Sequence, residues 1–391
     1  MKNSDQIKII LLAGGAASER EISKQSSRGI YDALVGIGYK VAVIDPALGA
    51  GQLNEAEKYF ETDEKWGEYV AHHGLMYKAN DAAKNGNGAQ GNNRTNSQIK
   101  KSATNYTGTN SQNGKETIDE IRSRVSFKNY IDAIKLPVFD EADLVFNGLH
   151  GRWGEDGQIQ SLLQLRGKKY TGPGVLACAL AMDKGKSKII YKNSGVIVPN
   201  GFNRLKNSFN FDESRRKVLK EFGFPVIVKP NDEGSTFGLT LVEKEDQLEE
   251  AFNFAFEFSD NVLVEEYIAG RELTVGVLDG EALPALEIRP KHGLYDFECK
   301  YTGGMSEYLV PAPVDEEVSQ FMQQQALLAY NSIGCSGYAR IDFRLSPENK
   351  PYCLELNSLP GMTKTSLMPK MAKEKGMSYS ELVDKIVRIS L

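Results

Sequence analysis

The chain has 391 residues, 41% of them hydrophobic and 25% charged, which is typical of a globular protein with two or three domains. A net charge of -5 without a cluster of Lys and Arg argues against a nucleic-acid partner. The first apolar run, residues 7 to 13, is too short for a signal peptide or a membrane-spanning helix. We therefore expect a protein that acts on small molecules, without a membrane partner. The four cysteines show no CxxC spacing and no histidine companions, which fits a reducing cytoplasm.

The chain begins with a predicted βαβ unit. Residues 7 to 44 contain a buried strand, a turn with Gly14 and Gly15, a helix and a second strand. Such a turn lets backbone amides and a helix N-terminus approach a ligand, although many such glycines serve packing only. Glu19 and Ser23 stand where the helix begins, and helix capping is the simplest role for each.

A long polar segment follows, from about Lys84 to Glu116. It consists mainly of Asn, Gly, Ser, Thr and Gln and has almost no aliphatic residues. Such a segment cannot bury enough apolar surface to offset the entropy lost on ordering. We predict a disordered insertion there.

The next strand signal, residues 143 to 151, carries His150 near its end. Ligands of open α/β sheets bind at the carboxyl ends of the strands, so His150 is a candidate binding residue, although a lone histidine is more often structural. A helix is predicted after Gly157, and two short helices are predicted around Lys184.

Residues 225 to 242 are predicted to form a strand, a glycine-rich loop and another strand. Lys229 ends the first strand, and the loop contains Gly234, Ser235 and Gly238. A lysine beside such a loop suits a triphosphate, since the cation balances charge and the amides bind oxygens. A plain hairpin turn is the alternative.

Three more strands are predicted between residues 262 and 288. Their glutamates Glu265, Glu266 and Glu272 suit hydrogen bonds with ribose hydroxyls and an adenine amine, although glutamates at strand edges are usually just solvated. The long loop that follows contains the Gly303-Gly304 pair, which is typical of a mobile lid.

A predicted hairpin near the C-terminus, Tyr338 to Leu345 and Pro351 to Leu356, has one apolar and one polar face. The residues expected on the apolar face are Ile341, Phe343, Leu345, Tyr352, Leu354 and Leu356. Those expected on the polar face are Arg340, Asp342, Glu355 and Asn357. Two carboxylates and an amide oxygen suit Mg²⁺, which also binds nucleotide phosphates, whereas a solvated face is the alternative. Gly361, just beyond, would let backbone amides approach an anion.

Together these motifs resemble the D-alanine:D-alanine ligase family of the ATP-grasp superfamily. The matching runs are GGAASEREIS, FNGLHGRWGEDGQIQ, YTGPGVLACALAMDK, PVIVKPNDEGSTFG, VEEYIAGRELTV, YDFECKY, ARIDF and LELNSLPGMTKTSLMP. They cover nearly the whole chain except roughly residues 45 to 140. Pro173 stands where Ser is commoner in the family, and Glu266 stands where some members have Lys.

The resemblance implies an α/β and α+β fold, with a three-domain ATP-grasp architecture that begins with an N-terminal βαβ (pre-ATP-grasp) domain. The domains would span residues 1–172, 173–268 and 269–391, with ATP between the last two. The implied reaction is ATP-dependent ligation of two D-alanine molecules through an acyl phosphate, for peptidoglycan precursor synthesis. Two Mg²⁺ (or Mn²⁺) ions and a homodimer are implied as well.

The resemblance also implies residue roles. The expected nucleotide contacts are Lys184 and Lys229 for the phosphates, Glu265, Glu266 and Ile268 for adenine, and Glu272 for ribose. The expected metal ligands are Asp342, Glu355 and Asn357. Arg340 and the Gly361 amide would stabilise the oxyanion. The expected D-alanine contacts are Glu19 and His150 for the first substrate, and Ser366 and the Leu367 amide for the second. The residues expected to close the lid are Ser235, Glu19 and Tyr301, with Lys300 beside them.

Two alternatives stay open. One is a related ligase whose second substrate is D-lactate or D-serine, for which the lid residue Tyr301 is the discriminator. The other is an ATP-binding regulatory protein without catalysis. It is disfavoured because Arg340, Asp342, Glu355 and Asn357 are all present.

Overall fold

The computed structural model describes four ranges of the chain, residues 3–17, 19–61, 126–291 and 305–391. Three β-sheets organise these residues. The predicted insertion, and the part of the lid that contains Lys300 and Tyr301, lie outside the described residues. None of the helices within the four ranges is both long and apolar enough to span a bilayer.

The first sheet is parallel and has the order β2-β1-β3. Its strands are β1 (Lys8–Leu12), β2 (Lys40–Ile44) and β3 (Leu144–Asn147), and α1 (Arg20–Ile37) connects the first two. Three later helices complete this part: α2 (Phe127–Ile134), α3 (Val138–Glu141) and α4 (Gln158–Leu165). Helix α5 (Val175–Met182) follows them and contributes Ala181 to the core of the third sheet. β1 is apolar on both faces because it is the central strand, covered on both sides. The predicted βαβ unit is confirmed.

The second sheet is antiparallel and has the order β4-β7-β5-β6. Its strands are β4 (Gly201–Leu205), β5 (Val226–Pro230), β6 (Thr240–Val242) and β7 (Asn261–Glu266). Two helices, α7 (Phe211–Glu221) and α8 (Leu248–Ala255), contribute Val218 and Phe252 to its core. The helix α6 (Lys184–Asn193) precedes this sheet, and Lys184 is its first residue rather than a linker residue.

The third sheet has the order β11-β10-β8-β12-β13, and β9 pairs with β8. Its strands are β8 (Arg271–Leu278), β9 (Glu281–Ala282), β10 (Leu286–Pro290), β11 (Ser306–Leu309), β12 (Tyr338–Leu345) and β13 (Pro351–Asn357). Helix α9 (Glu316–Ser332) and α6 share one core with this sheet. Helices α10 (Leu367–Glu374) and α11 (Tyr379–Ser390) pack with α1 in another.

The predicted hairpin is confirmed, but its apolar face differs from the prediction. Asp342 pairs with Glu355, whereas the next residue, Phe343, pairs with Cys353, so Leu354 is the extra residue of a β-bulge. The bulge shifts the alternation of β13, and Cys353 is buried beside Phe343. The placement of Tyr352 and Leu354 on the apolar face is therefore wrong.

The polar face of this hairpin forms as predicted, because Arg340 pairs with Asn357 and Asp342 with Glu355. Strand β4 and helices α7 and α10 were not predicted from the sequence. Helix α11 opens with a capping box, in which Ser378 accepts a hydrogen bond from the Glu381 amide. The three sheets lie within the three predicted domain ranges, and the domain boundaries themselves stay a prediction.

Candidate functional site

Two neighbouring cavities contain every predicted site residue that the structure describes. The first, here the inter-sheet cavity, lies between the second and third sheets and is lined by Lys184, Lys229, Glu265, Glu266, Ile268, Glu272 and Asp342. The second, here the junction cavity, lies where α1 and the first sheet meet the third, and is lined by Glu19, His150, Arg340, Asn357, Gly361, Ser366 and Leu367. Gly234, Ser235 and Glu355 line both. The two cavities are thus in contact.

Lysines and glutamates form ion pairs at one end of the inter-sheet cavity. The Lys184 Nζ atom lies 3.3 Å from Glu355 Oε2 and donates to the Glu233 carbonyl oxygen at 2.7 Å. The Lys229 Nζ atom lies 2.7 Å from Glu265 Oε2. These lysines come from α6 and β5, and the strand pairing of β5 with β7 brings Lys229 beside Glu265.

Glu265 is 2% exposed and pairs with a second lysine, Lys188. Burial favours the neutral acid, but Lys188 and Lys229 outweigh burial and lower the pKa of Glu265. Burial lowers the pKa of Lys188 to about 8, although Glu265 opposes that shift. Sequence reasoning missed Lys188. Its spacing of four from Lys184 was the available signal, because such residues share one face of a helix.

The other end of the inter-sheet cavity contains polar groups of β7, β8 and β12. Glu266 Oε1 accepts a hydrogen bond from the Asn200 backbone amide at 2.8 Å. Arg344 lies 3.4 Å from Glu272 and also lines the cavity. Sequence reasoning missed Arg344, although it lies two residues beyond Asp342 on the same strand face.

The predicted metal face lies at the boundary of the two cavities. Arg340 donates to both oxygens of Asp342, at 2.8 and 2.7 Å. Thr274 Oγ1 donates to Asp342 at 2.6 Å, and Asn357 Nδ2 donates at 3.0 Å. These contacts fix the Asp342 carboxylate opposite Glu355. Within the described ranges, no group of three or more His, Cys, Asp or Glu side chains has the geometry of a metal site.

Glu19 connects the first sheet to the glycine-rich loop of the second. Its carboxylate accepts a hydrogen bond from Ser235 Oγ. A Cβ atom on Gly234 would lie 2.8 Å from Glu19 Oε2, so the backbone of the loop approaches this carboxylate closely. Within the described ranges, the Glu19 side chain makes no capping bond to α1. Capping is therefore wrong as the role of Glu19.

His150 is buried in the wall of the junction cavity. Its Nδ1 atom lies 3.0 Å from the Leu359 carbonyl oxygen, which only accepts, so Nδ1 carries a hydrogen. Nε2 lies 3.2 Å from Ser26 Oγ. Burial opposes the charged ring, but Glu155, 3.8 Å from Nδ1, outweighs burial and raises the pKa of His150. Burial in turn raises the pKa of Glu155. Glu155 was not predicted as a site residue, because no sequence spacing indicates its contact with His150.

The Gly14-Gly15 turn is occupied by contacts within the protein. The Gly14 amide donates to Ser23 Oγ at 2.9 Å, and the Gly15 amide donates to Asp45 Oδ1 at 3.0 Å. A Cβ atom on Gly14 would lie 2.5 Å from the Asp45 carboxylate. The structure therefore favours packing, rather than ligand binding, for this turn.

The residues around Gly361 form the far wall of the junction cavity. Ser366 precedes α10, and its Oγ atom accepts a hydrogen bond from the Thr363 amide at 3.0 Å. Leu367 is the first residue of α10, so its amide belongs to a helix N-terminus, where anions bind favourably. This wall suits a carboxylate.

Both halves of the chain match families described by the same ligase name. Residues 8–173 match the family described as D-ala D-ala ligase N-terminus, and residues 190–388 match the family described as D-ala D-ala ligase C-terminus. The D-alanine–D-alanine ligase of Halalkalibacterium halodurans is 46% identical over 261 residues, covering 64% of this chain and 83% of that protein. The D-alanine–D-alanine ligase of Pelotomaculum thermopropionicum is 37% identical over 292 residues, covering 71% of this chain and 91% of that protein.

Solved structures agree in fold over nearly the full length. The D-alanine–D-alanine ligase from Bacillus anthracis, solved in complex with ATP, has a TM-score of 0.66 and 26% identity, covering 98% of this chain and 97% of its own. The VanG D-Ala:D-Ser ligase from Enterococcus faecalis has a TM-score of 0.70 and 26% identity, covering 99% of this chain and 100% of its own.

Proposed function

This chain belongs to the D-alanine–D-alanine ligase family, and from that premise we propose how its two cavities divide the reaction. The protein is an ATP-dependent ligase that joins two D-alanine molecules. The inter-sheet cavity takes ATP and the junction cavity takes the two amino acids. The observation that carries this division is the shared lining, because Gly234, Ser235 and Glu355 face both cavities where a phosphoryl donor and its acceptor must meet.

ATP binds with its phosphates at the lysine end of the inter-sheet cavity. Lys184 and Lys229, now paired with glutamates, turn to the phosphate oxygens, and the amides of the glycine-rich loop donate to them. Glu265, which lies beside Lys229, contacts adenine together with Glu266 and Ile268, and Glu272 contacts ribose. The two cavity lysines supply cations for the phosphates, and the carboxylates of Glu266 and Glu272 supply further acceptors, which supports this orientation.

Asp342, Glu355 and Asn357 would hold two Mg²⁺ (or Mn²⁺) ions between the cavities. Two carboxylates and an amide oxygen are hard donors that fit such ions, and strand pairing sets Asp342 opposite Glu355. When bound, the ions neutralise charge on the transferring phosphoryl group.

The first D-alanine lies against Glu19 and His150, and its carboxylate takes the γ-phosphoryl group as ADP is released. The amine of the second D-alanine, whose carboxylate is bound by Ser366 and the Leu367 amide, then attacks the acyl phosphate. The new C–N bond forms as phosphate departs, and the amine loses a proton. Arg340 and the Gly361 amide stabilise the oxyanion of the tetrahedral intermediate. Ser235 and Glu19 hold the glycine-rich loop over this centre, where water would hydrolyse the acyl phosphate.

We place this activity in peptidoglycan precursor synthesis in the cytoplasm, with a homodimer as the active form and domain boundaries near residues 172 and 268. Family membership supports these points. Tyr301 and Lys300 in the lid keep their predicted roles, with Tyr301 favouring an amine over a hydroxyl nucleophile.

The test is phosphate release from ATP with D-Ala, L-Ala, D-Ser or D-lactate, together with chromatography of the products. We expect the highest rate with D-Ala alone and D-Ala-D-Ala as the main product. A mixed product that dominates when D-Ala is combined with D-Ser or D-lactate would replace the substrate assignment. The absence of any amino-acid-dependent phosphate release would contradict the proposed ligase activity.

A further inference from the structure

Arg344 is a charged residue of the inter-sheet cavity that the reaction described above does not use. It follows Arg340 and Asp342 on the same face of β12, and its side chain is 12% exposed. A buried guanidinium needs partners, because leaving a charge without them in the interior is costly. The identity of those partners indicates what Arg344 does.

The guanidinium group of Arg344 contacts three residues, all of which line the inter-sheet cavity. Nη1 lies 3.4 Å from Glu272 Oε2, and Nε donates to the Ile268 carbonyl oxygen at 3.3 Å. Nη2 donates to the Tyr267 hydroxyl at 3.4 Å, and the guanidinium carbon lies 5.9 Å from the centre of the Tyr267 ring. Strand pairing sets Arg344 directly opposite Glu272.

These contacts join the end of the second sheet to the start of the third. Tyr267 and Ile268 belong to the short segment between β7, which ends at Glu266, and β8, which begins at Arg271. This segment runs close against β12, since a Cβ atom on Gly270 would lie 2.1 Å from the Leu345 carbonyl oxygen. The planar guanidinium reaches three acceptors at once, whereas a lysine ammonium at this position would be a single point charge on a flexible stem.

We propose that Arg344 is a positioning residue that holds Glu272 and the Tyr267–Ile268 segment in the geometry that recognises the ribose of ATP. The proposal rests on the proposed function, in which Glu272 contacts ribose. Arg344 itself acts through Glu272, whose carboxylate, 16% exposed, it orients toward the cavity. A carboxylate that accepts a hydrogen bond from ribose in a fixed direction discriminates against a nucleotide that lacks that hydroxyl.

The test compares ATP with 2′-deoxyATP and 3′-deoxyATP in the unmodified enzyme and in Arg344→Met. The measured quantity is kcat/KM for ATP divided by kcat/KM for each deoxynucleotide. This ratio is taken within one protein preparation, so it does not depend on the fraction of folded enzyme. We expect the unmodified enzyme to prefer ATP by about tenfold over at least one analogue, and Arg344→Met to lose most of that preference.

The matched control is Arg204→Met. Arg204 is 17% exposed in its side chain and forms a 3.0 Å ion pair with Glu213, but it lies outside the described lining of both cavities. We expect Arg204→Met to keep the ATP preference. Arg344→Met should also keep the KM for D-alanine. In Arg344→Met combined with Glu272→Gln, the preference should fall no further than in Glu272→Gln alone.

An Arg344→Met enzyme with the ATP preference of the unmodified enzyme would overturn the proposal, as would equal losses in Arg204→Met. If Arg344→Met yields no folded protein, Arg344→Gln carries the same test with the same expected loss. Failure of the proposed function is distinguishable, because the unmodified enzyme would then show no D-alanine-dependent phosphate release.

Discussion

The two cavities stabilise their polar groups in different ways. In the inter-sheet cavity, charges of opposite sign meet directly, as Lys184 does with Glu355 and Lys229 with Glu265. In the junction cavity, charged pairs such as Arg340 with Asp342 occur together with neutral partners: Ser235 donates to Glu19, and His150 donates to the Leu359 carbonyl. Direct lysine–glutamate pairs thus line the cavity that we assign to a triphosphate, whereas charged and neutral contacts are mixed in the cavity that we assign to the amino acids.

Because Glu355 lines both cavities, its replacement is expected to have the largest effect. Glu355→Gln removes a charge with little change in volume, so the fold should persist while kcat falls by roughly 100-fold or more. The measurement is kcat at saturating ATP and D-alanine, with the melting temperature as a check on folding. Glu348→Gln is the control, because Glu348 is an exposed glutamate on the turn of the same hairpin. Near-normal turnover of Glu355→Gln at moderate Mg²⁺ would remove Glu355 from the metal site.

Lys188→Met tests whether the lysine–glutamate pairs affect the inter-sheet cavity without affecting the junction cavity. Without Lys188, the buried Glu265 carboxylate has lost one of its two lysines, so its position and that of Lys229 should be less well fixed. We expect the KM for ATP to rise about tenfold and the KM for D-alanine to stay unchanged. The control is Lys186→Met, an exposed lysine on the same helix. A rise confined to the KM for D-alanine would contradict this separation.

Ser235→Ala tests the contact between the Ser235 hydroxyl and the Glu19 carboxylate in the junction cavity. The change removes the hydrogen bond from Ser235 to Glu19 while keeping the loop backbone. We expect the KM for D-alanine to rise about fivefold, since one hydrogen bond to a carboxylate is lost. Steady-state kinetics with each substrate varied in turn would measure both KM values. If the KM for ATP rises and the KM for D-alanine does not, Ser235 contributes to nucleotide binding rather than to D-alanine binding.

The pH dependence of stability should reveal the buried charge of Lys188. Its pKa is about 8 in the folded protein, against an ordinary value of 10.5. Between these values the unfolded chain binds more protons at this site, so its contribution to the free energy of unfolding rises with pH. Urea unfolding at pH 7.5 and 9.5 should show the unmodified protein gaining on the order of 1 kcal/mol relative to Lys188→Met. An equal pH response of the two proteins would show that Lys188 does not titrate in this window.

Excision of the insertion should have the smallest effect. Replacing residues 86–115 with a short Gly/Ser linker is expected to leave both KM values, kcat and the melting temperature nearly unchanged, because loop length contributes little to stability. Kinetics and thermal unfolding of the shortened chain would measure this. A large drop in melting temperature would show that the segment packs against the rest of the protein, and a change in only one KM would assign it to one cavity.

The hairpin of β12 and β13 shows which features could be predicted from the sequence and which could not. The period of two placed Arg340 and Asp342 on one face, opposite Asn357 and Glu355, because that period is a local property of extended backbone. The bulge at Leu354 was not predictable, since an extra residue in one strand shows only in its pairing with the other. The sequence therefore identified the polar face but misplaced part of the apolar one.

The two glycine-rich turns also show that composition alone does not predict which groups a turn will contact. Both had the composition of an anion-binding turn, yet the Gly14-Gly15 amides are used by Ser23 and Asp45, while the loop at Gly234 lines both cavities. A glycine permits close approach of the backbone, but which group approaches depends on elements far along the chain.

By itself the sequence determined the βαβ unit, the C-terminal hairpin, the motifs that resemble one ligase family, and many of the side chains that line the cavities. Only the tertiary structure decided how those side chains are paired. Lys188 reaches Glu265 across 77 residues of chain, and Arg344 reaches Glu272 across 72. Local periodicity depends on neighbouring residues, whereas a buried ion pair depends on the packing of whole sheets, which a spacing in the sequence does not record.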